Sequence, residues 1–165
     1  GPLASEDQLE KVTQYIELGR KSNATIATGG NTLDRGGYFV EPTVFTGAEN
    51  DMRVAQEEIF GPVLTVIPFA DESEALELAN DIDYGLVAGV FTSNVSRAHR
   101  FAQRLEAGNV YINKWFGDTN QTPFGGYKAS GIGREKGLEA FDSYLQTKNI
   151  AVNLTDGSGG DLPGA

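Results

Sequence analysis

Three apolar runs alternating with two helix-patterned segments constrain this chain more than any other feature. The runs are residues 63–69 (VLTVIPF), 86–91 (LVAGVF) and 110–112 (VYI). Nearly continuous apolar stretches of this kind suit strands buried on both faces, as in a parallel sheet. Asp71, Glu72 and Ser73 open the first intervening segment, whose apolar positions are Ala75, Leu76, Leu78 and Ala79. Val95, Ala98, Phe101, Ala102 and Leu105 give the second a helical stripe that ends near Gly108. Strand, helix, strand, helix and strand with short joints predict two right-handed βαβ crossovers and an α/β fold with a mainly parallel sheet.

The flanking segments read differently. Ser5 has the chemistry of an N-cap, with Gln8 three residues on as its capping-box partner. Leu9, Val12 and Ile16 then carry a helical period towards Leu18 and Gly19. Residues 25–28, 38–40 and 43–45 are β-prone. Residues 121–133 (QTPFGGYKASGIG) hold too much glycine for a helix or a central strand, so they predict a shaped loop. A short helix is expected over 134–141. Tyr144–Leu154 (YLQTKNIAVNL) alternates loosely and predicts a strand at an edge, or one reaching out to a partner. The Gly-rich end, residues 155–165, has little to bury and is expected to be a disordered tail.

Charge and residue types exclude several functions. There are 13 Lys+Arg against 23 Asp+Glu, a net charge of −10. That balance opposes a general nucleic-acid or anionic-membrane binder, since both recruit basic side chains to phosphate. With no cysteine, the chain has no disulfide, no thiolate metal site and no cysteine nucleophile of its own. His99 is the sole histidine and sits in a predicted helix between Arg97 and Arg100, where an exposed position is expected. Asp71, Glu72, Glu74 and Glu77 read as a solvated helix face and lack the spacing of a calcium loop. No apolar stretch approaches the ~18 residues of a spanning helix. No basic segment leading into an apolar run opens the chain, so a cytoplasmic protein is expected.

Four stretches together resemble the aldehyde dehydrogenase superfamily. They are residues 37–45 (GYFVEPTVF), 57–63 (EEIFGPV), Tyr84-Gly85-Leu86 with 109–113 (NVYIN), and 123–135 (PFGGYKASGIGRE). Each is weak alone, but their order and spacing are specific, and the likeness runs from Gly1 to about Leu154. It implies a partial catalytic domain over 1–143, three-layer α/β/α in architecture, and an oligomerisation strand at 144–154. Family members also have a Rossmann-like domain holding NAD or NADP, a cysteine nucleophile and a glutamate general base. The resemblance places all three upstream of this chain, which agrees with its lack of cysteine. The implied reaction is oxidation of an aldehyde to a carboxylic acid, with hydride passed to the nicotinamide.

The resemblance also assigns roles to particular residues. Glu58 matches the family's ribose ligand, a carboxylate able to accept from both ribose hydroxyls. Phe60 matches the aromatic beside the nicotinamide ring, and Glu57 is left as structural. Residues 113–124 match a loop lining the aldehyde tunnel, so Trp115, Phe116 and Phe124 are candidates for an aromatic wall. Phe124 is the strongest of these, while Asp118 and Asn120 could add polarity. Taken bare, the same residues read as surface acids and core aromatics. The glycines at 125, 126, 131 and 133 do not follow a buried strand and open a helix, so they are not a dinucleotide loop. They shape backbone instead, with Lys128, Arg134 and Glu135 as structural hydrogen-bonding groups. The expected partners are an aldehyde and a second copy through Tyr144–Leu154, with neither nucleic acid nor membrane. The alternative is a standalone, non-catalytic oligomerising α/β module.

Overall fold

The computed structural model describes residues 1–117 and 119–153. Helix α1 (Glu6–Lys21) starts where Ser5 Oγ accepts from the Gln8 amide at 3.2 Å. It buries Val12 and Ile16, as its apolar period predicts. Gly19 is not a terminator: the helix continues two residues further, and a Cβ at Gly19 would stand 2.3 Å from the Phe45 ring. Glycine is there because the ring needs the space.

Strands β1 (Thr25–Thr28), β2 (Thr32–Leu33), β3 (Phe39–Val40) and β4 (Thr43–Thr46) follow, then helix α2 (Arg53–Gln56) and strand β5 (Val63–Val66). β1 pairs antiparallel with β4, and β4 pairs parallel with β5. A smaller ladder joins β2 to β3. α1 and α2 close the core over this sheet. Val12, Ile16, Val40 and Ile59 form one buried cluster, and Ala24, Phe45, Ala48 and Val54 form another.

Helix α3 (Glu72–Asn80) is capped by Asp71, whose carboxylate accepts from the Ser73 and Glu74 amides. β6 (Tyr84–Gly85), β7 (Val87–Val90), helix α4 (Val95–Arg104) and β8 (Asn109–Ile112) complete the second α/β unit. Asn94 caps α4 through the Arg97 amide. β7 and β8 pair in parallel. β9 (Tyr127–Lys128) returns to pair antiparallel with β6.

The fold is α/β, but of the two crossovers expected over 63–112 only the second, 86–91 to 110–112, joins strands of one described sheet. β5 ends one sheet and β7 begins another. The two parallel crossovers present are β4–α2–β5 and β7–α4–β8. β5 is also not buried on both faces, because Leu64 is 59% and Val66 43% exposed. Nothing in the described chain covers that face.

The C-terminal expectations change in type. Residues 134–138 are not helical, and a 3₁₀ helix occupies Glu139–Tyr144 instead. Tyr144–Leu154 forms no strand within the chain: Tyr144 closes the 3₁₀ helix and 145–153 adopt no regular element. A strand needs a partner ladder, and none of the described strands supplies one here. Leu154 and the expected tail lie outside the described residues. No helix among the described residues is long and apolar enough to cross a membrane.

Candidate functional site

Residues 57–60 leave α2 as an irregular segment held by one face of α1. Gln8 Nε2 donates to the carbonyls of Ile59 at 3.2 Å and Phe60 at 2.6 Å. Gln8 therefore supplies only its backbone amide to the helix cap, and the reciprocal half of the expected capping box is replaced by this longer-range grip. Lys11 Nζ donates to the Glu58 carbonyl at 3.0 Å and lies 5.4 Å from the Phe60 ring centre. The Tyr15 hydroxyl donates to the Glu57 carboxylate. Arg53 donates to the same carboxylate through Nε at 2.6 Å and Nη2 at 2.8 Å. Ile59, 8% exposed, anchors the segment in the core beside Val12 and Ile16.

This anchoring turns Glu58 and Phe60 outward. Glu58 is exposed, and Phe60 is 66% exposed at a backbone φ of 58°. A non-glycine residue at positive φ carries strain, and such strain persists only where the surroundings over-determine it. Here Gln8, Lys11 and the buried Ile59 do so. Glu58 and Phe60 line a cavity of about 630 Å³, opposite Tyr84, Leu86, Glu106 and Ser130.

Glu57 is structural, as the sequence reading has it, and its ionisation matters to the segment. Hydrogen bonds from Arg53 first, then from Tyr15, lower its pKa from 4.5 to about 2. The same contact raises the Tyr15 pKa, chiefly through the hydrogen bond to Glu57. A carboxyl with a depressed folded pKa stabilises fully above its unfolded value and loses that contribution as pH falls through the folded one. Melting temperatures measured from pH 5 to pH 2 should therefore fall less steeply for Glu57→Gln than for the parent. Glu72, also lowered by Arg100 and then Arg97, supplies a background common to both proteins. Parallel curves would show that the Arg53–Glu57–Tyr15 network does not carry the effect.

The aromatic candidates divide. Trp115 and Phe116 meet edge to face with centroids 5.7 Å apart, and both contact the Tyr111 ring. The Trp115 ring lies against Gly89, so it packs on β7 while remaining 55% exposed. Asn113, at φ 53°, accepts from the Thr92 amide and donates to the Thr92 carbonyl. It ties the ends of β7 and β8 beneath this cluster. Phe124 stands apart: its backbone bridges to Glu135, and Lys136 Nζ lies 5.2 Å from its ring centre. It lines a different cavity, of about 780 Å³, and Leu86 borders both. Asn120 is exposed and accepts at its carbonyl from the Gly137 amide. Asp118 lies outside the described residues.

The glycine-rich loop shapes backbone. A Cβ on Gly108 would stand 1.8 Å from the Gly125 carbonyl oxygen, so the chain crosses there only without side chains. Lys128 Nζ binds the carbonyls of Asn80 and Ile82 and pairs with Glu106. Arg134 donates to the carbonyls of Gly126 and Gly133. His99 is exposed as expected, and no metal-binding cluster exists among the described residues.

Gln8, Lys11 and Tyr15 are the site residues that the sequence reading missed. Their signal was present: spacings of three and four place them on one helix face, beside the apolar stripe of Val12 and Ile16. What the stripe gripped could not be read from it.

The α/β scaffold thus presents an outward carboxylate and an outward aromatic on a tightly held loop. The profile of the Aldehyde dehydrogenase family matches residues 1–150, and the chain belongs to that family. It is 49% identical over 156 residues to the putative aldehyde dehydrogenase DhaS of Bacillus subtilis, covering 94% of this chain and 32% of that protein. It is 49% identical over 160 residues to a betaine aldehyde dehydrogenase of Mesorhizobium japonicum, covering 94% and 33%. Among solved structures, the NAD+ complex of an aldehyde dehydrogenase from Bacillus cereus superposes with a TM-score of 0.89 at 50% identity, covering 94% and 32%. The chain thus spans about a third of the length of these relatives.

Proposed function

We propose that this chain is the part of an NAD(P)-dependent aldehyde dehydrogenase that receives the nicotinamide riboside end of the cofactor and borders the aldehyde channel. The reaction of the whole enzyme is oxidation of an aldehyde to a carboxylic acid, and its setting is the cytoplasm. The observation that carries this reading is the outward Glu58 and Phe60 on a backbone fixed by Gln8, Lys11 and Ile59.

That donor set suits the cofactor. An ionised carboxylate accepts two hydrogen bonds side by side, which matches vicinal ribose hydroxyls. An exposed phenyl face suits stacking against a nicotinamide ring. NAD(P)+, when bound, accepts hydride. The contribution of this chain is orientation, since a carbon–carbon hydride transfer requires close and aligned approach. Trp115, Phe116 and Phe124 are assigned to the apolar wall that guides the aldehyde, with Asp118 adding polarity. The likeness to a family whose other parts hold nucleophile and base supports placing both outside these residues. Residues 1–143 are assigned to the partial catalytic domain, and Tyr144–Leu154 to association with a second copy.

Two measurements test the reading. Purified chain mixed with aldehydes and NAD+ or NADP+ should form no NADH or NADPH above the blank, because the chain has no thiol. NAD+ should bind with a Kd in the millimolar range or weaker, about −4 kcal/mol, since only one end of the site is present. In an NMR titration the shifted amides should be those of residues 57–60, and Glu58→Ala should abolish the shifts. Turnover by pure protein, a low-micromolar Kd, or shifts that ignore Glu58 would overturn it.

A further inference from the structure

Residues 57–60 alternate in burial: Glu57 is half-buried, Glu58 exposed, Ile59 buried and Phe60 exposed. The inward residues therefore set the direction of the outward ones. The pin at Ile59 is apolar, in the cluster of Val12, Ile16 and Val40. One apolar pin holds a segment in place but leaves it free to turn about that point. Glu57 supplies the second pin, and it is ionic. Arg53 grips the carboxylate through Nε and Nη2, and the Tyr15 hydroxyl donates to the same oxygen that Nη2 meets. A guanidinium fork on a carboxylate fixes the orientation of the group as well as its position.

Tyr15 links this pin to the outward residues. Its ring packs against both buried clusters. Arg53 lies 5.6 Å from the ring centre, and Lys11 lies 6.0 Å from it. Lys11 in turn lies 5.4 Å from the Phe60 ring centre and donates to the Glu58 carbonyl. Arg53, Tyr15, Lys11 and Phe60 thus form a row of alternating cations and rings, each step within the range of a cation–π attraction. The row begins on α2, crosses α1 and ends on the exposed aromatic. Arg53 and Tyr15 do not line the cavity that Glu58 and Phe60 border, so any effect they have there passes through other groups.

We infer that Arg53 and Tyr15 are positioning residues for the nicotinamide riboside end of the cofactor, aiming Glu58 and Phe60 through the Glu57 carboxylate. The inference rests on the cofactor reading of Glu58 and Phe60. A carboxylate and a ring serve one ligand together only when both point at it, so their aim decides binding. A network with a purely structural role would alter global stability and leave that aim unchanged in the molecules that stay folded.

The test follows the full chain by NMR at neutral pH, where Glu57 is ionised, first without ligand and then with NAD+. In the parent, the backbone amide order parameters of Glu58 and Phe60 should lie near the rigid value of about 0.85. Arg53→Met keeps an apolar stem and removes the fork, and both values should fall to about 0.6 or lower. Tyr15→Phe keeps the ring and loses only the hydroxyl, so it should lower them as well. The Kd for NAD+ should weaken about five- to tenfold in Arg53→Met, as when only about a fifth to a tenth of the molecules hold the competent loop. Adding Arg53→Met to Glu57→Gln should change the Kd little further, since both remove the same contact. Ala98→Gly is the control for stability, because it weakens the interior of α4 and touches no member of the network. It should leave the order parameters and the Kd at their parent values.

Unchanged order at Glu58 and Phe60 in both Arg53→Met and Tyr15→Phe overturns the inference and leaves the cofactor reading standing. So does an unchanged Kd in Arg53→Met, or a double variant whose losses multiply. Equal weakening by Ala98→Gly also overturns it, by making the effect one of stability. If NAD+ shifts none of the amides of residues 57–60 in the parent, the cofactor reading fails and the inference fails with it.

Discussion

Phe45→Ala is expected to cost about 3–5 kcal/mol, which is comparable with the whole stability of a small domain. Phe45 is fully buried and is the largest such side chain in the described core. Its ring fills the space between Gly19 of α1 and the small or short-branched residues Ala24, Ala48 and Val54. None of these can extend into the void, so the cavity stays open and the loss falls near the upper end of the range. Urea unfolding should show a midpoint near zero denaturant for this variant. Phe91→Ala is the matched control, because Phe91 is 68% exposed. Its midpoint should hardly move. Equal effects from the two would mean that the Gly19–Phe45 contact does not organise the α1 packing.

Ending the chain after Ser143 is expected to convert a dimer into a monomer. Beyond that point Leu145, Ile150 and Val152 expose 68%, 75% and 69% of their surface. Ile150 and Val152 fall on one face of an extended chain, with Ala151 and Asn153 on the other. An apolar-faced segment outside every ladder among the described residues, once extended, is what strand addition to a neighbouring sheet uses. Leu138, Phe141 and Tyr144 add exposed apolar surface immediately before it, at 81%, 62% and 88%. Light scattering on the full chain and on the shortened one measures the change directly. A monomeric full chain, or a dimer indifferent to the deletion, would remove the role given to Tyr144–Leu154.

The contrast between these two regions shows what kind of information the sequence carries. Ser5, Asp71 and Asn94 cap the helices they precede, because a cap is a contact between residues two or three apart. For Ser5 and Asp71 that was readable directly. The apolar periods of α1, α3 and α4 likewise depend only on the pitch of a helix. Glu58 and Phe60 stood out because a specific motif surrounds them, although composition alone made them a surface acid and a core aromatic. The strand expected at Tyr144–Leu154 had the right alternation, but pairing is a property of two segments and its partner is not among the described strands.

The sequence by itself determined the α/β class, the places of α1, α3 and α4, the backbone role of the glycine-rich loop and the family. All of these follow from local periods, local caps or ordered motifs. The tertiary structure alone decided that β5 pairs with β4 and not with β7. It alone showed that Gly19 makes room for a ring 26 residues away by sequence position, 45 against 19. It alone showed Gln8 holding carbonyls 51 and 52 residues further along the chain. The physical reason is the same in each case. A contact across that separation depends on where the packed core brings two segments together, and no single segment encodes the position of the other.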